Sequence, residues 1–338
     1  MQITTLGIDI SKTVFQLHGV DAQGKVRLTK RVSRGKLLSV MAELPPCLVG
    51  LEACGGAHYW AREFTQLGHE VKMMAPQHVK PYVHGNKTDR RDAQAICEAA
   101  SRPYVKAVPV SSMLQQDIQT LHRVRQQCLK SRTALVNQLR GLLAEYGIVI
   151  PKGIHQVRKR VGRVLAEPDN GLSELCRDVL QDVYQRMIEL DTKMTAYNAR
   201  IVRLCQQIEP CQRLSQVAGV GPLTATAFYA AVGNGQTFDN GRHVSAWLGL
   251  VPKQHSSGER TVLLSIHKRG DPYLRTLLIH GARSVVYRAA GKSDARSQWI
   301  QRLQARRNTN VAVVALANKT TRILWAMLAK GTPYQAAD

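Results

Sequence analysis

The sequence predicts an α/β domain at the N-terminus, followed by long helices and a mostly helical C-terminal part. Three observations support this fold class. Short apolar runs alternate with polar turns over the first hundred residues, apolar side chains recur every three to four positions in 111–146 and 172–208, and glycine and proline interrupt short helical patterns after residue 213. We therefore expect three domains, over residues 1–108, 109–210 and 211–338.

The first domain is predicted from the order of its apolar runs. Runs at 3–10, 14–20 and 26–32, joined by tight turns, predict an antiparallel meander of three strands. Helix and strand patterns then alternate in the order helix 34–43, strand 48–52, helix 57–67, strand 70–74 and helix 88–100. The resulting order, β-β-β-α-β-α-β-α, is typical of a ribonuclease-H-like domain.

Four acidic residues of this domain occupy unusual positions. Asp9 and Glu52 each end an apolar strand, where a buried and unpaired carboxylate would be costly. Asp89 and Asp92 share one face of the last predicted helix, although Asp89 alone also fits a helix cap and Asp92 an ion pair with a neighbouring arginine. In a ribonuclease-H-like fold all four would converge. Four oxygen ligands without His or Cys suit Mg²⁺, with Mn²⁺ as the second choice.

Composition indicates an intracellular protein with a polyanionic partner. The formal net charge is +23, and residues 213–338 contain 17 Lys and Arg against 5 Asp and Glu, which makes this part the strongest candidate for a nucleic-acid surface. The connector 151–168, with Arg158-Lys159-Arg160 and Arg163, either contacts nucleic acid or forms a solvated loop. Seven scattered cysteines and the absence of a signal-like N-terminus favour the cytoplasm and no membrane partner.

The helical segments predict an interface. Residues 111–146 and 172–208 are predicted to form either an antiparallel pair within the chain or a coiled-coil contact of a dimer. The turn containing Gly219 and Gly221 resembles a helix-hairpin-helix, whose backbone N–H groups bind phosphate, and the alternative is a plain turn between helices.

A serine in the last domain is a candidate nucleophile. Lys253–Arg260 is predicted as a polar loop in which Ser256-Ser257-Gly258 is flanked by His255 and Arg260. Such a loop can present a hydroxyl group to a phosphate, although Ser-Gly is ordinarily just a turn. The predicted phosphate contacts are Arg260, Lys268, Arg269 and Arg275.

Six motifs occur in order along the chain. They are Gly7-Ile8-Asp9, Leu51-Glu52-Ala53-Cys54-Gly55, Asn86-Lys87-Thr88-Asp89-Arg90-Arg91-Asp92-Ala93, Gly219-Val220-Gly221, Leu248-Gly249-Leu250-Val251-Pro252 and Ser256-Ser257-Gly258. The ordered set resembles the DEDD-type insertion-sequence transposases, relatives of the Piv invertase described as bridge-RNA-guided recombinases. The resemblance extends over nearly the whole chain.

The resemblance implies a RuvC-like domain in which Asp9, Glu52, Asp89 and Asp92 bind Mg²⁺. It also implies that Ser257 forms a transient phosphoserine link to DNA, with Ser256 as a one-residue alternative. The implied partners are donor and target DNA, a structured noncoding guide RNA, and further copies of the chain in a dimer or tetramer, with the two catalytic halves on different subunits.

Two other functions fit the residues. One is a metal-dependent nuclease, like a Holliday-junction resolvase, that uses the acids without a covalent serine step. The other is a non-enzymatic architectural protein that binds DNA through its basic helices. Four acids at strand ends and on one helix face argue against the architectural function.

Overall fold

A computed structural model describes residues 2–86, 88–258 and 260–335 of the chain. The chain forms two compact units, Met1–Ser112 and Met113–Asp338. Each unit contains its own clusters of buried apolar side chains.

The first unit is built on a five-stranded sheet with the order β3-β2-β1-β4-β5. β2 pairs antiparallel with β1 and β3, which confirms the predicted meander, whereas β4 and β5 extend the sheet in parallel. The strands are β1 (Thr5–Asp9), β2 (Val14–Val20), β3 (Val26–Ser33), β4 (Leu48–Glu52) and β5 (Glu70–Met74). The observed element order is the predicted one with one addition, a short helix at Pro76–Val79 that the sequence pattern did not predict.

Helices cover both faces of this sheet because successive side chains of a strand point in opposite directions. Leu6 and Ile8 of β1 are fully buried in a core that also contains side chains of α1 and α2, whereas Gly7 lies against α4. The helices are α1 (Leu37–Ala42), which follows a short 3-10 turn, α2 (Ala57–Gln66), α3 (Pro76–Val79) and α4 (Asp89–Ser101).

The second unit begins with two long helices, α5 (Met113–Glu145) and α7 (Glu174–Gln207). They run antiparallel, since Arg125 of α5 donates to Asn198 of α7 at 2.7 Å and Arg132 pairs with Asp191 at 2.8 Å. The antiparallel pair within one chain is therefore present, while a coiled-coil contact between subunits stays a prediction.

The connector between these helices folds into a helix, α6 (Ile154–Ala166), so of the two alternatives for 151–168 the solvated loop is wrong, and a contact with nucleic acid stays a prediction. Leu180 is buried in the cluster that α6 forms with α5 and α7, whereas Leu175 and Val179 are exposed. The apolar pattern predicted for 172–208 is confirmed at Met187, Met194 and Ile201, which are buried, but it is wrong at Leu175 and Val179, near the start of α7. A third helix packs there, which changes the face that is buried.

The rest of the second unit contains short and long helices and one hairpin. Its elements are α8 (Glu209–Leu214), α9 (Pro222–Val232), α10 (Gly241–Trp247), β6 (Pro252–Ser257), β7 (Arg260–Ile266), α11 (Pro272–Tyr287), α12 (Ala295–Gln304) and α13 (Thr309–Lys330). Among the described helices, α13 alone is long and apolar enough to cross a membrane. Much of its apolar surface is buried in the largest core cluster, as in the core helix of a folded unit.

A buried polar network joins α5 to the C-terminal helices. The ring nitrogens of His122 lie 2.8 Å from the Tyr273 hydroxyl on α11 and 3.0 Å from the Thr226 hydroxyl on α9. Burial, followed by the charge of Arg125, lowers the pKa of His122 to about 4. The imidazole is therefore neutral at pH 7, with one nitrogen donating and the other accepting. This network holds the start of α11, just after the hairpin.

Candidate functional site

Asp9 and Glu52 end two neighbouring parallel strands. Ile8 of β1 lies opposite Leu51 of β4, so the next residue of each strand is an acid at the same edge of the sheet. The two strands are about 4.8 Å apart, the usual spacing in a sheet. Partial loss of solvent, and then the charges of Glu52 and Asp9, raise the pKa of the Cys54 thiol, so both carboxylates lie near that thiol.

Two paired glycines allow α4 to lie directly on the sheet. Gly7 and Gly50 are opposite each other in β1 and β4. A Cβ at Gly7 would lie 2.3 Å from the carbonyl oxygen of Ala93, and one at Gly50 would lie 2.6 Å from the Cβ of Ala100. Each glycine precedes an acid by two positions, and residues two apart in a strand share a face. Asp9 and Glu52 therefore lie on the face that α4 covers.

The direction of α4 brings its first turn to these acids. Cys97 contacts Thr5 and Gly7, while Ala93 contacts Gly7, so α4 runs opposite to β1 and begins near the carboxyl end of the strand. Asp89 and Asp92 lie in that first turn, where the positive end of the helix dipole favours carboxylates.

Side chains hold α4 at both ends. The Thr88 hydroxyl accepts a hydrogen bond from the Arg91 backbone N–H at 3.3 Å and caps the start of the helix. At the other end, the Lys72 ammonium of β5 donates to the carbonyl oxygens of Ala100 and Arg102 at 2.9 and 2.7 Å. The position of the first turn of α4 is thus set by contacts along the whole helix.

All four acids line one open cavity of about 650 Å³. Its wall also includes Gln77 of α3 and Lys80, the residue that follows this helix. A cavity of this size holds a small ligand, and a donor set of carboxylate oxygens fits a hard divalent cation such as Mg²⁺. Among the described residues, no three His, Cys, Asp or Glu side chains lie close enough together to coordinate one metal ion. The acids line the walls of the cavity and face a shared space.

The candidate serine lies at the tip of an antiparallel hairpin, so the prediction of an irregular loop over 253–260 is wrong. Gly258 has a φ of 56°, which glycine adopts at little cost and which lets the chain turn tightly between β6 and β7. Both strands are exposed on both faces. A strand with one buried face shows apolar and polar residues in alternation. A hairpin with both faces exposed does not need this pattern, so the sequence does not indicate the two strands.

Ser256 and Ser257 lie on opposite faces of this hairpin. The Ser256 hydroxyl lies 2.7 Å from the Gln254 amide, which donates to it, and 3.4 Å from the Thr261 hydroxyl. Ser257 lies opposite Arg260. Because residues opposite each other share a face, Arg260 and Ser257 share the second face with His255.

The predicted basic residues are spread along the hairpin. Lys268 and Arg269 follow β7 at the base, and β7 itself spans about 20 Å from the tip at roughly 3.3 Å per residue. Arg275 of α11 donates from Nη1 to the carbonyl oxygens of Leu248 and Arg269, both at 3.0 Å, and so helps to hold the base together. Arg260 alone of this predicted set is at the level of Ser257.

The predicted phosphate-binding turn connects α8 to α9. Gly219 has a φ of 84°, and a Cβ there would lie 2.7 Å from the carbonyl oxygen of Gly281 in α11, so close packing explains this glycine. Gly221 is exposed and precedes the first turn of α9. A phosphate contact at this turn stays a prediction.

Comparison with known proteins identifies the family. A model described as "Transposase IS116/IS110/IS902 family" matches residues 211–299, and a DEDD transposase model of the IS110 type matches residues 6–148. The chain is 48% identical over 343 residues to a probable family 20 transposase of Pseudomonas aeruginosa, with 99% of each chain covered. The chain belongs to the IS110/IS116 family of insertion-sequence transposases.

Two further relatives agree with this assignment. The transposase for insertion sequence element IS1111A of Coxiella burnetii is 45% identical over 333 residues, which cover 98% of this chain and 92% of the relative. The pilin gene-inverting protein of Moraxella bovis is 27% identical over 128 residues, or 36% of this chain. The resemblance seen in the ordered motifs is thus confirmed, and the first unit of the transposase belongs to the RuvC-like DEDD domains.

Gly7 and Gly50 are site residues that the motif analysis did not assign. The sequence does contain a signal for them, since each precedes a strand-end acid by two positions. Arg260 was assigned as a phosphate contact, but its position opposite Ser257 follows only from the register of the hairpin.

Replacing Gly7 with alanine tests the packing of α4. Because the new Cβ would overlap the α4 backbone, we expect Gly7→Ala to lower the free energy of unfolding by about 1–3 kcal/mol and to weaken Mn²⁺ binding by displacing Asp89 and Asp92. Gly55→Ala is the matched control, since nothing lies within 4 Å of a Cβ there. Urea denaturation and Mn²⁺ titration measure both effects. Equal behaviour of the two variants would contradict the contact.

Proposed function

We propose that this transposase cuts and rejoins DNA with two sets of residues, an acidic metal site in the first unit and a serine nucleophile in the second. The observation that carries the proposal is that Asp9, Glu52, Asp89 and Asp92 line a single cavity. They come from three separate segments of the chain, the ends of β1 and β4 and the first turn of α4, and a shared wall around one cavity is what a common ligand requires.

The four carboxylates are proposed to hold Mg²⁺, or Mn²⁺, through their oxygen atoms. Such ions polarise a phosphate group and offset the charge that develops on the attacking and leaving oxygens. The chain supplies the geometry: Asp9 and Glu52 are held by the sheet, and Asp89 and Asp92 by the glycine contact beneath α4. Lys80, on the same cavity wall, offers a positive charge to a DNA phosphate.

Ser257 is proposed as the nucleophile, and two contacts favour it over Ser256. The Ser256 hydroxyl is engaged by Gln254 and Thr261 within the hairpin. Ser257 lies opposite Arg260, whose guanidinium can offset negative charge on a phosphate. Gly221, Lys268 and Arg269 are proposed as DNA contacts away from the reacting phosphate, with Gly219 and Arg275 supporting the backbone beside them.

The covalent step conserves the energy of the phosphodiester bond. A bond forms between Ser257 Oγ and phosphorus as the bond from phosphorus to a deoxyribose oxygen breaks. The serine gives up its proton and the released oxygen takes one up as a hydroxyl group. We propose that His255, two residues before Ser257 on the same face of the hairpin, carries that proton. Attack by a second DNA hydroxyl then reverses the step and regenerates the serine.

We also propose a structured guide RNA and an assembly of two or four subunits. Support for the RNA comes from the family resemblance and from the net charge of +23. Support for the assembly comes from an apolar strip at one end of the helical pair, where Leu142, Tyr146, Leu175 and Val179 are exposed. A second copy of the chain would bury these side chains.

Loss of one acid tests the metal site. Removing a ligand charge with Asp92→Asn should reduce strand cleavage about 100-fold or more while the melting temperature stays close to that of the parent protein. Chelation should have the same effect, and added Mg²⁺ or Mn²⁺ should reverse it. Glu98→Gln is the control, because this acid lies farther along α4 and pairs with Arg102. Full activity of Asp92→Asn would remove that residue from the site.

Paired serine variants test the nucleophile. Ser257→Ala should keep DNA binding but lose both cleavage and the covalent protein–DNA adduct, whereas Ser256→Ala should keep both. The measurement is a denaturing gel of reactions stopped during turnover. An adduct that survives in Ser257→Ala and vanishes in Ser256→Ala would move the nucleophile by one residue. Cleavage to free DNA ends by both variants would contradict the serine mechanism and support the nuclease mechanism, which uses only the acids.

Sequencing of co-purified nucleic acid tests the guide RNA. We expect the full chain, purified at low salt, to retain one discrete RNA. The strongly basic chain attracts a polyanion, and the proposed guide is a single structured molecule. The same purification at high salt serves as the control. Random fragments alone would contradict the guided function.

A further inference from the structure

A basic helix of the second unit is not used by the proposed chemistry. Residues 146–166, which contain α6, have no Asp or Glu. We use the name "α6 basic face" for the exposed basic side chains on this helix and just before it, apart from the ion-paired Arg158; they are Lys152, His155, Lys159, Arg160 and Arg163.

The opposite side of α6 is firmly packed. Val157 and Val161 are fully buried and Leu165 is nearly so, in the cluster shared with α5 and α7. The Tyr184 hydroxyl of α7 donates to the Arg158 carbonyl at 3.3 Å, and a Cβ at Gly162 would lie 3.4 Å from that hydroxyl. The helix is therefore fixed in one orientation, and the basic face points away from the apolar cluster.

The positive charges of this face are not balanced within the chain. Arg158 is neutralised by Asp191, which also binds Arg132. Among the described residues, the structure contains no ion pair to the five members of the α6 basic face. Lys159 and Arg163 are four residues apart and lie in one row, where their like charges destabilise a helix. An external anion would relieve that repulsion.

We propose that the α6 basic face binds the phosphate backbone of duplex DNA. Residues 147–166 contain no Phe, Tyr or Trp, whereas proteins that bind unpaired bases stack them mainly on such side chains. Lysine and arginine without such a platform contact phosphates and carry no sequence information. DNA is the substrate of this transposase family, and a duplex presents phosphates along its length.

The position of α6 indicates a contact away from the serine hairpin. Arg158 is at the level of Arg132 on α5. Arg132 lies ten residues beyond His122 in α5, which is about 15 Å at 1.5 Å per residue. His122 belongs to the network that holds the start of α11, beside the base of the hairpin. The α6 basic face would therefore add a second, sequence-independent contact to DNA that the hairpin engages elsewhere.

The test compares two double variants of the full chain. Lys159→Gln with Arg163→Gln removes two charges from the row on α6. The control, Arg186→Gln with Lys193→Gln, also removes one arginine and one lysine charge, but from α7, where Asp182 and Glu189 provide nearby opposite charge. The probe is a duplex DNA of about 40 base pairs and arbitrary sequence, and the measurement is Kd by fluorescence anisotropy over a range of salt concentrations.

We expect the α6 variant to bind this DNA about tenfold more weakly at low salt, with a salt slope reduced by about 2, because each lost phosphate contact removes roughly 0.9 from that slope. The α7 variant should change neither value, and both should melt like the parent. Equal effects of the two variants, or none, would overturn the proposal. Loss of binding to an RNA duplex with unchanged DNA binding would also overturn it.

Discussion

The acidic site depends on direct contact between the backbone of α4 and two glycines of the sheet. Gly7 and Gly50 face each other in adjacent strands, and neither position has room for a Cβ beneath the helix. This contact brings Asp89 and Asp92 to the edge where Asp9 and Glu52 end their strands. Four carboxylates in one cavity repel one another, so a rigid arrangement of sheet and helix is needed to hold them there.

The serine is presented in a different way. The hairpin that carries Ser257 has both faces exposed, and its described strands contribute little to the core. Its base is held by Arg275 and by the α11 segment that the His122 network fixes. A firm base with an exposed tip suits a group that must reach a large substrate such as DNA, because only the tip has to enter the reacting position.

The distribution of charge fits these roles. Four acids of the first unit line the cavity, whereas residues 213–338 contain 17 Lys and Arg against 5 Asp and Glu. Residues 111–212 contain 15 Lys and Arg against 10 Asp and Glu, and folding separates these charges: Asp191 lies between Arg132 and Arg158, and α6 keeps an acid-free face. Local arrangement, and not composition, determines which of these surfaces attracts phosphate.

The sequence by itself determined the sheet, the four acids and the family. Strands 14–20, 48–52 and 70–74 were predicted with their observed bounds, because half-buried strands carry a clear apolar pattern and short turns punctuate them. The order of six motifs was enough for the family, which the comparisons confirm. The metal ligation and the serine chemistry stay predictions.

Only the tertiary structure decided the strand form of 252–266, the opposite faces of Ser256 and Ser257, and the inward turn of Leu180 in place of Leu175. Each of these features depends on which other segments of the chain pack nearby, or on the lack of such packing. A hairpin exposed on both faces has no apolar alternation to reveal it, and the buried side of α7 changes where α6 packs against it. The apolar periodicity of a helix predicts a single buried face. Where a helix packs against two neighbours, both of them determine which side chains are buried.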